Sequence, residues 1–332
     1  MRRGNLLRIV AACCTTAALA ACQDSQSVFA AQGPEAARIA VLGWVLIIGS
    51  VAILAGVIAL FAVAIYGNTG WRTRLSREAV VVVGGIVFPV ATLSALLVYG
   101  LLVMRPGGAA AEAEEPLRIS VIGEQWWWRV IYEGPDGATF ESANEIRIPT
   151  GRRVELALAT ADVIHSFWVP NLAGKLDMIP GRTNVLTIEA DEPGVSRGQC
   201  AEYCGGAHAL MSFHVVAMEP DAFEAWLAHE AGPAEPPKGD REEQGQLLVL
   251  SSGCGGCHTI RGTKARGTIG PDLTHVGGRG SLAAGTLPNN AEAMAAWIVE
   301  NQHIKPENKM PPFGIYSDSD LSALAEYLAN LR

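Results

Sequence analysis

The sequence predicts three architectures in one chain: a two-helix membrane hairpin, an all-β sandwich and a C-terminal all-α domain. Three observations carry that reading. Ile39 to Tyr66 and Ala79 to Met104 are uncharged apolar runs of 28 and 26 residues. Short alternating runs separated by turn residues then fill positions 117 to about 229. Beyond residue 241 the apolar positions change to helical spacing. With 332 residues there is length for two ordinary domains besides the hairpin. A hydrophobic share of 49% against 17% charged residues places part of that apolar sequence in a membrane. The net charge of −8 argues against a nucleic-acid partner.

Residues 1–21 read as an export signal. Arg2, Arg3 and Arg8 precede an apolar stretch from Ile9 to Ala21 that is too short to span a bilayer comfortably. "LAAC" (Leu19 to Cys22) resembles a lipoprotein signal, in which Cys22 becomes the lipidated first residue; an ordinary secretory signal is the alternative.

The hairpin occupies about residues 36–105. At ~1.5 Å per residue each apolar run reaches ~40 Å, more than the ~30 Å hydrocarbon core. The connecting "GNTGWRTRLSRE" carries Arg72, Arg74 and Arg77, which places it in the cytoplasm and both termini outside. Pro89 predicts a kink in the second span, with the freed carbonyl satisfied by a neighbour. Gly43, Gly49, Gly56, Gly84 and Gly85 offer close-approach surfaces for partner helices.

"PGGAAAEAEEP" (106–116) is a linker by composition. From 117 to 230, runs such as "LRISVIGEQWWWRVIYEG" and "EIRIPTGRRVELALAT" read as strands of a sandwich, closed by a short helix over "DAFEAWLAHE". In strand geometry Trp126 and Trp128 share a face and Trp127 takes the other, so an exposed member of the trio would mark a docking surface. Residues 231–240 form a second, proline-rich linker. Residues 241–332 then carry helical patterns in "EEQGQLLVLSSG", "AEAMAAWIVENQ" and "SDLSALAEYLANLR".

Two stretches carry chemistry. "CAEYCGGAHALM" (Cys200 to Met211) holds two thiols, an imidazole and a thioether. Zinc accepts thiolates and imidazoles but rarely a thioether, so the set favours copper. A mononuclear blue-copper site uses one thiolate; two coppers bridged by both sulfurs would use both. A second imidazole is then required. His165, at a strand end in "ADVIHSFWVP", is the best supplier, and His214 and His229 are weaker.

"CGGCH" (Cys254 to His258) is the c-type haem attachment pattern, with Cys254 and Cys257 binding covalently and His258 as proximal iron ligand. The sixth ligand is expected from Met310 in "ENKMPPF", where two prolines stiffen the loop. Met294 is the rival, inside a helical run, and His275 and His303 are further alternatives. A histidine–methionine pair raises the haem potential, as suits a donor to copper.

Cys-x-Glu-x-Cys-x3-His-x2-Met, preceded by "DVIHSFWVPNLAGKLDMIPGR" and "QWWW", resembles cytochrome c oxidase subunit II over about residues 36–230. The resemblance implies a cupredoxin-like sandwich holding binuclear copper A. Its ligands would be His165, Cys200, Cys204, His208, Met211 and the backbone carbonyl of Glu202. The Glu202 side chain would reach a magnesium ion at the boundary with the catalytic subunit. The resemblance also makes Trp126 the point where electrons reach copper A, and sets Asp162, Lys175, Asp177 and Arg182 at the oxidase interface. "GPDLTHVGGR" resembles the haem-edge loop of class I cytochromes c, with Pro271 beside the proximal histidine. Such a fused cytochrome c domain occurs in caa-type oxidases.

The resemblance therefore implies an oxidoreductase subunit of a proton-translocating complex. Electrons would pass from an external donor, such as cytochrome c or a cytochrome bc complex, through haem c and copper A to subunit I, where oxygen is reduced. No oxygen-reducing site is expected on this chain. Subunits I and III and membrane lipid are the implied partners. The implied location is the bacterial inner membrane, with both soluble domains on the periplasmic side. One departure concerns proton uptake: Val82 stands where the family often has a glutamate, and Glu78 lies one turn earlier. A quinol oxidase subunit would share the hairpin and sandwich without the copper ligands. A membrane-tethered electron shuttle would share both cofactors without a catalytic partner.

Overall fold

The computed structural model describes residues 26–103 and 116–332. The signal segment with Cys22, and all but the last residue of the 106–116 linker, lie outside the described residues. The chain divides into two compact units, residues 37–114 and residues 1–36 together with 115–332.

The first unit is the hairpin. Helix α1 (Pro34–Tyr66) is followed by a short α2 (Thr69–Leu75), started by Asn68, whose Oδ1 accepts from the Trp71 amide at 3.0 Å. The second long helix comprises α3 (Glu78–Val82), a π turn (Val83–Val87) and α4 (Phe88–Val103). Both long helices are apolar and long enough to cross a membrane. Their large side chains are exposed along the whole length, Phe61 and Leu93 among them, a surface suited to lipid and not to water. The π turn lies immediately before Pro89, whose ring removes the amide that would donate to Gly85. The helix widens there, so the proline is absorbed by a local change of winding.

The second unit begins with the sandwich. Ten strands form two five-stranded sheets: β1 (Leu117–Glu124), β2 (Trp127–Glu133), β3 (Thr139–Ala143), β5 (Val154–Thr160) and β8 (Asn184–Ile188) in one. The other holds β4 (Glu145–Pro149), β6 (His165–Trp168), β7 (Leu176–Met178), β9 (Gly194–Cys200) and β10 (Ser212–Met218). Their orders are β3-β2-β1-β5-β8 and β4-β10-β9-β6-β7. Alternation does the work: Ile119 and Val121 of β1, Leu156 and Leu158 of β5, and Ile146 and Ile148 of β4 all point inward and are fully buried. Trp128, Phe167 and Phe213 meet between the sheets, with ring centroids 4.5–5.8 Å apart. Gly198 is required opposite them, because a Cβ there would lie 2.1 Å from Phe213 Cζ. Helix α5 (Pro220–Ala231) closes the domain through Phe223 and Leu227.

One feature has no sequence signal that pattern reading would catch. Residues 26–36 lie along the sandwich. The Gln32 amide donates to Asn171 O at 2.7 Å, and its side-chain oxygen accepts from Asn171 Nδ2 and Ser196 Oγ. Gly33 sits so close to Glu189 O that a Cβ would fall 2.0 Å away.

The helical domain packs α6 (Asp240–Ser251) across α8 (Asp318–Asn330), with α7 (Ala291–Ile304) beside them. Gly245 permits the crossing, since a Cβ would lie 2.3 Å from Ala323 O. Asn290 and Ser317 cap α7 and α8 by accepting from Ala293 N and Asp320 N. Val249, Met294, Ile298, Leu324 and Leu328 form a core distinct from that of the sandwich.

Candidate metal and haem centres

The twelve-residue loop leaves β9 at Cys200 and returns to β10 after Met211, and β6 supplies His165 at its first residue. The folded loop brings its donors together. Cys200 Sγ lies 3.8 Å from Cys204 Sγ and 3.7 Å from His165 Nδ1. Cys204 Sγ lies 3.5 Å from His208 Nδ1 and 3.8 Å from Met211 Sδ. The Glu202 carbonyl is 3.2 Å from Cys200 Sγ, while the Glu202 side chain is exposed. His165, Cys200 and Cys204 hold ligand atoms within 4.8 Å of one another, all three side chains buried. Gly123 makes room for the imidazole: a Cβ there would lie 2.8 Å from His165 Cδ2.

The electrostatics suit a cation. The hydrogen bond between the two thiols, outweighing burial, holds the Cys200 thiol far below its ordinary pKa; that same hydrogen bond, with burial and the Cys200 charge, pushes Cys204 up. Two cations between the sulfurs would stabilise both as thiolates. Burial lowers the His165 pKa, but hydrogen bonds to Cys200 and Asp162 outweigh it and the net direction is up. Asp162 Oδ1 holds His165 Nε2 at 2.9 Å, while Asp162 Oδ2 accepts from the Gln125 amide at 2.8 Å. A softer donor set of two thiols, two imidazoles and a thioether fits copper better than zinc or magnesium. His214, in β10, and His229, in α5, lie outside this cluster.

The tryptophan trio departs from the strand expectation. Trp126 is in the turn between β1 and β2, so it does not share a strand face with Trp128. Trp128 is buried between the sheets and Trp126 is 6% exposed, so neither forms an open docking surface; Trp127, half-buried, stacks under the Arg129 guanidinium. The Trp126 ring lies over the metal loop, with Nε1 donating to Cys204 O at 3.0 Å and Gln125 Nε2 donating to the same carbonyl at 2.7 Å.

The helical domain holds a cavity of about 320 Å³. Cys254, Cys257, His258 and Met310 line it, among apolar walls from Leu273, Ile298 and Leu324. His258 Nδ1 donates to Pro271 O at 2.7 Å, which leaves Nε2 free for a metal, and burial lowers its pKa so that the imidazole is neutral. Gly270 accommodates the ring, since a Cβ would lie 2.5 Å from His258 Cε1. Two free thiols, a neutral imidazole and an apolar slot fit a haem. Met294 also lines the cavity, but from inside α7 as a 4% exposed core residue. Met310 sits on a loop pinned at both ends of its peptide: its amide donates to Asn308 Oδ1 and its carbonyl accepts from Gln302 Nε2. His275 packs 4.9 Å from the His229 ring, and neither His275 nor His303 lines the cavity.

Sequence reasoning placed Asp162 at a subunit interface and missed its bond to His165, although a carboxylate three residues before a ligand histidine is a readable signal. It also missed Lys305, which nothing in the local pattern distinguishes from a surface lysine.

Residues 117–218 match the family described as cytochrome c oxidase subunit II, periplasmic domain, and residues 242–332 match cytochrome c. Cytochrome c oxidase subunit 2 of Alkalihalophilus pseudofirmus is 42% identical over 214 residues, 64% of this chain and 61% of that protein. The Bacillus subtilis protein of the same description is 34% identical over 233 residues, 67% of this chain and 64% of its own length. The chain thus spans less than two thirds of each of these relatives. A solved periplasmic domain of subunit II of cytochrome oxidase from Bradyrhizobium japonicum shares 31% identity over 36% of this chain and 96% of that one, with a TM-score of 0.34. Through its sandwich the chain belongs to the cytochrome c oxidase subunit II family, and it carries a cytochrome c domain behind that copper-binding module.

Proposed function

We propose that this chain is the electron-accepting subunit II of a caa-type terminal oxidase. It relays electrons from an external donor through covalently held haem c to binuclear copper A and on to an oxygen-reducing subunit I. The carrying observation is the double role of one side chain: Trp126 lines the haem cavity and also donates to the carbonyl of Cys204. A single indole therefore adjoins both cofactor sites.

His165, Cys200, Cys204, His208, Met211 and the Glu202 carbonyl would hold the copper pair, and Cys254, Cys257, His258 and Met310 the haem. A copper pair held by these residues would supply a centre that takes up and releases one electron at a time. The chain's own contribution is fixed geometry. Asp162 orients His165, Gln125 and Trp126 hold the Cys204 carbonyl, and Pro271 O orients His258. The exposed Glu202 carboxylate would face a magnesium ion at the subunit I boundary, a role that rests on the family resemblance. Subunits I and III and a cytochrome c or bc-type donor are the proposed partners. The proposed location is the bacterial inner membrane with both soluble domains outside, supported by the two apolar helices and the basic loop between them.

The test is purification from membranes in mild detergent with rapid-mixing spectroscopy. The expected result is a stably associated subunit carrying further haems, with haem c reduced first and copper A following. A chain that purifies without such a subunit, or whose two centres are reduced independently, contradicts the proposal.

A further inference from the structure

Lys305 carries a buried ammonium that the electron relay described above does not use. It follows the last residue of α7 and is 3% exposed. Its Nζ donates to three backbone carbonyls: Trp126 O at 2.6 Å, Leu210 O at 2.9 Å and Ala283 O at 3.0 Å. An ammonium has three protons, and each has an acceptor. Two acceptors belong to the copper domain and one to the cytochrome domain. Trp126 is the residue whose indole reaches Cys204, and Leu210 directly precedes Met211. Lys305 thus holds the metal loop at its Leu210 end and the β1–β2 turn whose Trp126 ring packs on that loop.

Among the described residues no carboxylate is paired with this ammonium. Burial pushes its pKa down to about 7, against a partial offset from Cys204. A long cationic side chain placed there without an acidic partner carries a desolvation cost that an apolar residue of similar length would avoid. The three carbonyls are what retains it.

The clamp continues into the haem loop. Asn308 Nδ2 donates to Lys305 O at 2.7 Å, and Asn308 Oδ1 accepts from the Met310 amide at 2.9 Å. Beside it, a Cβ on Gly206 of the metal loop would lie 2.4 Å from Glu307 Oε2, and Lys309 Nζ stands 3.9 Å from Asp162 Oδ2. An unbroken chain of bonded groups therefore runs from Trp126 and Leu210 through Lys305 and Asn308 to Met310. Other contacts join the domains nearby: Ser212 N donates to Ala284 O, Gly280 N to Glu145 Oε2, and Thr286 Oγ1 reaches Leu210 O at the longer distance of 3.5 Å.

We propose that Lys305 is a positioning residue that locks the Met310 loop of the cytochrome domain onto the copper loop and so fixes the separation of the two redox centres. This rests on the relay reading for its consequence, though not for its geometry. Without the clamp the domains keep the 231–240 linker and their remaining contacts, and the facing of the two loops becomes one of several arrangements in exchange.

The experiment compares the full-length chain with Lys305→Met, similar in length and without a donor, and Lys305→Gln, which keeps an amide donor. In the chain without metals, hydrogen exchange at the amides of residues 126–128 and 209–212 is expected to accelerate about tenfold or more in Lys305→Met, and less in Lys305→Gln. In the loaded chain the copper and haem spectra are expected to be unchanged. The enhancement of copper spin relaxation by the nearby haem iron is expected to fall, and haem-to-copper transfer after photoreduction to slow and become dependent on viscosity. A general loss of fold would instead alter both spectra; if Lys305→Met does so, Lys305→Gln decides. Wild-type exchange and wild-type spin relaxation in the folded variant overturn the clamp. Absence of haem-to-copper transfer in the unmodified chain overturns the relay reading instead, and the exchange comparison still judges Lys305.

Discussion

Asp162 Oδ1 lies 2.9 Å from Nε2 of His165, and the opposite nitrogen of that ring, Nδ1, faces Cys200 Sγ at 3.7 Å. A carboxylate on one nitrogen fixes the tautomer and the ring plane, and raises the basicity of the other. Asp162→Asn keeps the shape and removes the charge. Copper affinity is expected to fall by about 10- to 100-fold, with the haem unaffected. Competition with a copper chelator measures it; unchanged retention would show that the ring is held by packing alone.

The sulfur pair gives a sharper expectation. Cys200 and Cys204 are 3.8 Å apart and both buried, so both sulfurs are within reach of one pair of metals. Cys200→Ser is expected to abolish any mixed-valence copper signal and to leave the haem spectrum intact. Persistence of that signal would refute bridging by this thiol.

The haem side separates two methionines. Met310 sits on a loop fixed by Asn308 and Gln302, whereas Met294 is set in the core beside Ile298. Met310→Ala should remove the sulfur-to-iron absorption band. Met294→Ala should retain that band and cost about 2–5 kcal/mol of stability, the usual range for truncating a buried methionine. The reverse pattern would exchange their roles.

Much of this was legible from spacing, and what was not has a common cause. The sandwich and helices follow from periodicity, because burial of one face enforces it. The gathering of thiols, imidazoles and thioether was legible because all but one of those side chains lie within twelve residues. Trp126 was misplaced because alternation was carried through a turn: β1 ends at Glu124 and β2 starts at Trp127, and the reversal has no glycine or proline to announce it. Gln32 and Lys305 were invisible for another reason. Apart from Ala283 O, 22 residues from Lys305, the partners of their side chains lie more than 90 residues away, so nothing in their own neighbourhood marks them.

Acid should loosen the domain contact at His275. Burial, helped by Arg261, His229 and Arg279, lowers its pKa to about 4, with Glu235 partly opposing and the Glu230 carboxylate 4.0 Å away. A histidine whose folded pKa lies below its unfolded value of about 6.5 is neutral when folded and takes up a proton on unfolding. Its contribution is therefore present above pH 6.5 and lost as the pH falls from about 6.5 to 4, about 3 kcal/mol at most. Thermal unfolding between pH 7 and 4 checks this: His275→Gln should flatten that part of the profile. An equal slope in both proteins would assign the acid sensitivity elsewhere.

The most direct test of the central claim is a combined copper count and paramagnetic resonance spectrum of the purified full-length chain. The account predicts two coppers per polypeptide sharing one unpaired electron, at the site formed by His165 and the Cys200–Met211 loop. Zinc, a single copper, or a permanent Cys200–Cys204 disulfide at that site would contradict it.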